Sequence, residues 1–360
     1  KPQSKYPMLV QLEHDSALDI PPGDKDFIVT DEFKASMDMN VLSIYPHAHY
    51  LAKVMEAYAT LPDGTKKWLV EIKDWDLNWQ GVFRYRKPVF LPKDSVVTMR
   101  YHYDNSDANP RNPNSPPKRV TGGNTAGFEM SHLWLQVLPT AEGDQRAALQ
   151  ESLVTQKLSK HPDDFIANFD MGDLLLNKSK AGEAIEYFER AAKSDPASVL
   201  AASELGVALY TSGQLSKAEQ QFRHALEIDR SYTDARFNLA SVEASEGKWE
   251  SSSDGFKQVL AEKPDYAKAS QRLGQVLTLW GDQLAKSGKD PEAIAKYQEA
   301  VPMLADNVDL RIRLGMAFAR QERLAESQAE FEAVLQLKPD LKLAQEAIAA
   351  IRKRRAETGK

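Results

Sequence analysis

The chain has 360 residues, of which 42% are hydrophobic and 27% charged, with a formal net charge of −6 at pH 7 and no cysteine. That length predicts two domains, each able to bury its own core, and no apolar run approaches the roughly 20 residues of a membrane-spanning helix. Without cysteine, disulfides, zinc-thiolate sites, iron-sulfur clusters and covalent haem attachment are excluded within the chain, so a transition metal must rely on His, Met and carboxylate.

The charge is spread evenly: residues 1–139 carry 16 Lys and Arg against 17 Asp and Glu, and the remainder 30 against 35. Neither part has a basic stripe with interleaved aromatics, so nucleic acid is not an expected partner. The sequence starts at Lys1 without Met or a signal peptide, which fits a processed protein or a fragment lacking its upstream part.

Residues 1–139 read as short strands rich in β-branched and aromatic residues: MLVQLEH, DFIVT, NVLSIYPHAH, AKVMEAYATL, KKWLVEI, GVFRYRKPVF, SVVTMRYHY and FEMSHLWLQVL. Turn residues separate them, and Asp63-Gly64 marks a hairpin between two of the strands. Many strands with no helix between them predict an antiparallel β-sandwich or jelly roll.

Within that run, IYPHAHYLA places His47 and His49 one residue apart. Side chains alternate along a strand, so both would project from one face and could converge on one ion. The spacing by itself leaves open a second reading, in which they are surface or satisfied core residues. Met130 by itself reads as core filler. His102 and His132 are candidates for groups behind a ligand, or for a fourth ligand, while His14, His161 and His224 have no partner visible in the sequence. The segment DWDLNWQ, residues 74–80, offers carboxylates, tryptophans and an amide, and reads as turn and core rather than as an acid/base pair.

Taken in order, PHAHYLAKVMEAYATLPDGTKKWLVEIKDWDLNWQ, YDNSDANPRNPNSPP and FEM make most of residues 5–139 resemble a known domain: the methionine-bearing copper domain of the type II, ascorbate-dependent copper monooxygenases, in particular the family's bacterial relatives. The resemblance places the family's His-x-His on His47 and His49 and its methionine ligand on Met130. It implies one copper ion, an external reductant such as ascorbate or a redox partner, hydroxylation of a C–H bond with dioxygen, and an extracytoplasmic setting. Two imidazoles and a thioether suit copper that passes through Cu(I).

Three departures qualify it. The family's upstream three-histidine domain cannot be built from residues 1–46, which contain only His14, so electrons would come from a missing upstream domain or a donor protein. Ser131 stands where animal members have a cysteine. Tyr45 and Trp134 occupy the substrate-binding places of an arginine and a tyrosine in peptide-amidating members, and without the guanidinium a peptide carboxylate is not an expected ligand.

From about residue 141 the period becomes helical and repeats. Register residues Gly172, Gly206, Ala240, Gly274 and Gly315 are 34, 34, 34 and 41 apart. Small residues follow twelve later (Ala184, Ala218, Ser252) and aromatics sixteen later (Phe188, Phe222, Phe256), with Pro196, Pro264 and Pro339 closing repeats. The fourth repeat shows its marks seven residues late, at Ala293 and Tyr297, which places an insertion of two helical turns around GDQLAKSGKD. The fifth resumes at Gly315, Ser327 and Phe331. This pattern resembles the tetratricopeptide repeat. The expected plan is a sandwich over 1–139, a linker with a helix over 140–164, five repeats over 165–339 forming an all-α solenoid, and a capping helix and tail over 340–360. The function expected from the whole is a copper-dependent monooxygenase-like subunit that docks protein partners through the repeat groove. The rival expectation is a copper-binding or purely structural assembly subunit acting through that groove alone.

Overall fold

The computed structural model describes residues 6–125 and 127–358. They form two compact units, one up to Leu174 and one from Leu175.

The first unit holds ten strands: β1 (Met8–Glu13), β2 (Asp19–Ile20), β3 (Phe27–Lys34), β4 (Met39–His47), β5 (Ala52–Thr60), β6 (Lys66–Ile72), β7 (Phe83–Leu91), β8 (Val96–Tyr103), β9 (Val120–Thr121) and β10 (His132–Pro139). Two four-stranded antiparallel sheets, ordered β1-β10-β4-β7 and β3-β8-β5-β6, stack as a sandwich, and β2 pairs with β9 beside them. Alternation decides which side chains fill the core. Val10, Leu12, Ile44, Leu133 and Leu135 enter it from the first sheet and Val29, Phe33, Met55, Met99, Tyr101 and Tyr103 from the second. The Asp63-Gly64 turn forms as its residues predict, with Gly64 at a φ of 84° and its amide bonded to the Leu61 carbonyl.

Two strands are shorter than the hydrophobic pattern suggests. β4 stops at His47, leaving His49 outside it, and β10 begins only at His132, so Phe128–Ser131 is a loop. The reason is where the backbone donors go. The amides of His49 and Leu51 give their hydrogens to the Glu129 carboxylate, at 2.8 and 2.7 Å, instead of to a neighbouring strand.

The segment expected as a linker is part of the sandwich unit. Helix α1 (Arg146–Lys160) buries Leu149 in the sandwich core, and its Gln156 bonds both backbone groups of Lys34 on the edge strand β3, at 2.8 and 2.9 Å. A side-chain amide there takes the place of a missing neighbour strand and blunts the open edge.

Helix α2 (Phe165–Asn177) spans the boundary between the units. Ten more helices follow: α3 (Ala181–Ser194), α4 (Val199–Thr211), α5 (Leu215–Ile228), α6 (Thr233–Ser245), α7 (Trp249–Glu262), α8 (Ala267–Lys286), α9 (Asp290–Ala300), α10 (Val308–Arg320), α11 (Leu324–Leu337) and α12 (Lys342–Thr358). They stack as antiparallel pairs in chain order, the architecture of a tetratricopeptide solenoid. In the second and fifth repeats the aromatic packs against the register residue sixteen positions earlier. A Cβ on Gly206 would stand 2.6 Å from the Phe222 ring, and one on Gly315 would stand 3.0 Å from the Phe331 ring. At the twelve-residue mark, Ser252 and Ser327 are fully buried and donate hydrogen bonds, both of 2.7 Å, to the carbonyls of Ala240 and Gly315.

The fourth repeat departs from the sequence register. Helix α8 has 20 residues where α4, α6 and α10 have 13. Tyr297 closes on Gly281, where a Cβ would meet its ring at 2.5 Å, whereas Gly274 faces Leu304 and Met303. The two extra turns therefore lie ahead of Gly281, inside α8, and not around residues 281–290. Two glycines one heptad apart share a helix face, and only the position of the aromatic ring tells which of them belongs to the repeat.

Candidate metal centre

His47 ends β4 directly opposite His132 on β10, which in turn lies opposite Glu13 on β1. Two residues back, Tyr45 lies opposite Trp134 in the same register, and the two rings stack at 5.3 Å. Opposed residues of antiparallel strands share a face, so His47, His132, Tyr45 and Trp134 form one aromatic patch. Its centroid distances are 6.1 Å from Tyr45 to His47, 6.2 Å from His47 to Trp134 and 5.0 Å from His132 to Trp134. The two residues read from the sequence as substrate-binding therefore stand beside the first histidine.

His49 reaches the same place by a different route. It lies beyond the end of β4, so strand alternation does not aim it; three bonds do. Its amide is held by Glu129, its carbonyl accepts the Trp75 indole N–H at 3.1 Å, and its Nδ1 donates to the Phe128 carbonyl at 2.7 Å. The His47 and His49 rings meet edge to face with centroids 5.4 Å apart. A metal–nitrogen bond of about 2.0 Å puts a bound ring's centroid about 3 Å from the ion, so two imidazoles meeting near a tetrahedral angle would have centroids about 5 Å apart. The observed 5.4 Å lies close to that value and within the ordinary range for two packed rings.

The protonation pattern fits as well. His47 Nδ1 lies 2.6 Å from Gln80 Oε1, which also accepts the Tyr45 hydroxyl at 3.1 Å, so this nitrogen carries the hydrogen. A carbonyl fixes the same tautomer in His49. Each ring thus keeps Nε2 as a bare lone pair, the arrangement that oxygen acceptors behind metal-binding histidines impose. Burial pushes the His47 imidazole below its ordinary pKa, with the neighbouring His49 and His132 adding to that and the Gln80 bond opposing it. The neutral ring that results is the form a metal needs.

Met130 is half-buried in the loop before β10, not on a strand. Its carbonyl accepts the Tyr103 hydroxyl at 2.7 Å, and the preceding Glu129 binds the His49 amide, so this loop is tied to the second histidine. Glu129 is 1% exposed, and burial pushes its carboxyl up to about 7 against the pull of the amides it accepts. In the Glu-Met pair the glutamate is the clasp that joins the histidine loop to the methionine loop.

His132 is 6% exposed, with Nε2 2.9 Å from Asp15 Oδ2 and 3.8 Å from Glu13 Oε1. Asp15 also accepts the Ser131 amide at 2.7 Å. These three side chains form the cluster of carboxylate and imidazole ligand atoms, all within 4.8 Å of one another, found among the described residues.

His102 is a correction. It faces outward from the second sheet, where its Nδ1 pairs with Asp26 at 2.6 Å, and the strand brings it to neither histidine. Its neighbours Tyr101 and Tyr103 point inward instead, and their hydroxyls bond the carbonyls of His132 and Met130. Two other histidines acquire a partner that the sequence hides: the rings of His14 and His161 meet edge to face at 5.6 Å. Gln80, Trp75 and the Phe128 carbonyl were not singled out by sequence reasoning. DWDLNWQ does form turn and core, with Trp75 buried and Asp76 capping a 3-10 turn, but it also supplies a hydrogen-bond partner to each histidine.

A β-sandwich bearing a histidine pair and a helical-repeat array define the chain. Residues 169–233 and 278–342 match the family model described as tetratricopeptide repeat. Among curated proteins the chain is similar to the human protein O-mannosyl-transferase TMTC1, with 23% identity over half of this chain and 20% of that protein. It is also similar to a probable UDP-N-acetylglucosamine–peptide N-acetylglucosaminyltransferase, SPINDLY, of Hordeum vulgare, with 23% identity over 41% of this chain and 16% of that protein. The matched segments thus span a fifth or less of either relative. Solved structures similar to it include YrrB, described as a TPR protein with an unusual peptide-binding site, with 17% identity and a TM-score of 0.42 over 54% of this chain and 96% of that one. Another is MamA, with 20% identity and a TM-score of 0.40 over 49% of this chain and 92% of that one.

Proposed function

We propose that this chain is an extracytoplasmic docking subunit: its repeat array binds a protein partner, and its sandwich holds one copper ion on His47, His49 and Met130. The docking part draws its support from the tetratricopeptide repeats and from large apolar residues left on the first helices of the pairs. Leu200 on α4, Leu279 on α8 and Met316 on α10 are 50%, 49% and 41% exposed. The metal part is carried by one observation, the two oxygen acceptors that hold Nδ1 of His47 and His49 and leave both Nε2 atoms free. When bound, copper would supply one-electron redox chemistry and the affinity of Cu(I) for soft sulfur. The protein's own groups hold the neutral tautomers, clasp the two loops and wall one side with Tyr45 and Trp134.

The test is anaerobic titration of the full chain with Cu(I). One equivalent should bind, His47→Ala or His49→Ala should abolish that binding while the fold survives, and Met130→Ala should weaken Cu(I) far more than Cu(II). Stoichiometric binding that survives both histidine substitutions would remove the site. A second reading, a monooxygenase acting on a C–H substrate with electrons from a donor protein or reductant, is favoured by the aromatic patch beside His47. Oxygen consumption that depends on both copper and reductant, and is lost in His47→Ala, separates it from a non-catalytic copper subunit.

A further inference from the structure

Charge is balanced when counted over residues 1–139, but the fold sorts it unevenly. Residues 77–93, which form the turn before β7, the strand and its exit, contain Arg84, Arg86, Lys87 and Lys93 and no Asp or Glu. Arg84, Arg86 and Lys87 are exposed and make no ion pair among the described residues. Arginines of the repeats do pair, Arg236 with Glu262, Arg311 with Glu330 and Arg320 with Asp290. Nor does the sheet supply a countercharge, since β7 is its edge strand and faces Ser43 and Asn40 on β4, behind which stand Gln136 and Leu138 on β10. This corrects the expectation that residues 1–139 carry no basic stripe: one exists, confined to a single edge strand.

Large apolar side chains stand among these cations. Trp79, in the turn before β7, is 84% exposed, Val82 58% and Phe90 45%. Gln136 and Leu138 are two apart on one strand and alternate with the core residues Leu135 and Val137, so they point outward. Arg84 and Phe90 share that outward face, because Ser43 and Asn40 link them to this pair in register. Lys67 joins them from β6, with its Nζ 3.2 Å from the Phe90 carbonyl. Exposed tryptophan beside unpaired Arg and Lys is the combination that suits a membrane interface, with the ring at headgroup level and the cation on a phosphate. Nucleic acid would ask for ring faces on which bases stack, and Val82 offers none. A bilayer asks only for charge and protruding apolar groups.

We propose that the β7 edge docks the chain on an anionic phospholipid bilayer, with Arg84, Arg86 and Lys87 on lipid phosphates and Trp79, Val82 and Phe90 entering the headgroup layer. Contact of this kind lies on the membrane without crossing it, and no helix among the described residues is long and apolar enough to cross one. A chain of net charge −6 is repelled by such a surface as a whole, so a local basic face has to set its orientation. The proposal does not depend on the copper site or on the repeat groove, and its failure would leave both untouched.

The full chain should co-sediment with vesicles of phosphatidylglycerol and phosphatidylcholine in about a 1:2 ratio, and bind pure phosphatidylcholine about tenfold more weakly or less. Affinity should fall about tenfold or more between about 0.05 and about 0.5 M salt. Arg84→Gln, Arg86→Gln and Lys87→Gln combined should weaken binding to the mixed vesicles about 100-fold, since each cation near such a surface is worth about a factor of five. Trp79→Phe should still bind but lose the blue shift in tryptophan emission that vesicles produce in the unaltered chain. Circular dichroism checks that both variants fold, and vesicle binding by the unaltered chain depends on neither. No binding to the mixed vesicles at low salt overturns the proposal and leaves an acidic protein surface as the match for these cations. Binding that is unchanged in the triple variant, or a blue shift that survives in Trp79→Phe, places the contact elsewhere and overturns it too.

Discussion

The sandwich and the solenoid solve the same problem, fixing side chains in space, with opposite economies. In the solenoid a packed pair sixteen residues apart recurs, Gly206 with Phe222, Gly281 with Tyr297 and Gly315 with Phe331. In the sandwich no pair recurs. His49 is held from 26 residues away by Trp75 and from 80 residues away by Glu129, and His47 from 33 away by Gln80. A repeat array can lose one contact and keep its plan, because each unit touches only its neighbours. A site drawn from four distant segments depends on every clasp.

That contrast can be broken or sharpened by substitution. The largest effect is expected for Phe256→Ala, which empties a fully buried ring position in the middle of the array and should cost about 3–5 kcal/mol in chemical denaturation. Loss confined to the flanking helices in hydrogen exchange would agree with a repeat array, whereas uniform loss across both units would contradict it. Next comes Glu129→Leu, which leaves the buried amides of His49 and Leu51 unpaired at about 1–3 kcal/mol each. It should expose both amides to exchange with solvent and weaken copper binding together, and weakening of one without the other would separate the clasp from the site.

Gly281→Ala should cost about 1–3 kcal/mol through collision with Tyr297, while Gly182→Ala, whose added methyl meets nothing within 4 Å, should not destabilise. Equal effects in thermal melts would undo the assignment of Gly281 as the register glycine of the fourth repeat. Gln80→Leu should barely change stability yet lower copper affinity about 10–100-fold by freeing the His47 ring. The smallest effect is expected for Ser327→Ala: it loses a buried hydrogen bond to the Gly315 carbonyl, but alanine fills the equivalent place at Ala184 and Ala218, so the change should stay within about 1 kcal/mol.

How much could be read in advance follows the same division. The helical half is legible because its contacts are local and repeated, so spacing alone names the partners. It misleads where Gly274 and Gly281 offer the same face of one helix and only the Tyr297 ring chooses between them. The strands are legible from alternation, and so is the sandwich, but strand ends are not. FEMSHLWLQVL reads as one strand, yet Phe128–Ser131 stays out of the β4–β10 ladder, with the Glu129 amide bonded to the Thr121 carbonyl and the Ser131 amide to the Asp15 carboxylate. The histidine pair is visible as a spacing, while the atoms that aim it are not. Gln80 carries no local pattern that marks it as a support, and its role exists only once the segment between β6 and β7 lies beside the end of β4. His102 shows the converse: a histidine with a suggestive address whose strand phase turns it to the outer surface.

The lengthened helix α8 has a consequence for how such an array can change over time. Seven residues fall short of two full turns by only about 20°, so both ends of α8 still present their small residues to the neighbouring helices. An addition of five residues would swing the far half of the helix by about 140° and turn its apolar side to water. Solenoids of this kind therefore grow in steps close to a whole number of turns, and unequal repeat lengths in a family should cluster at those steps rather than spread evenly.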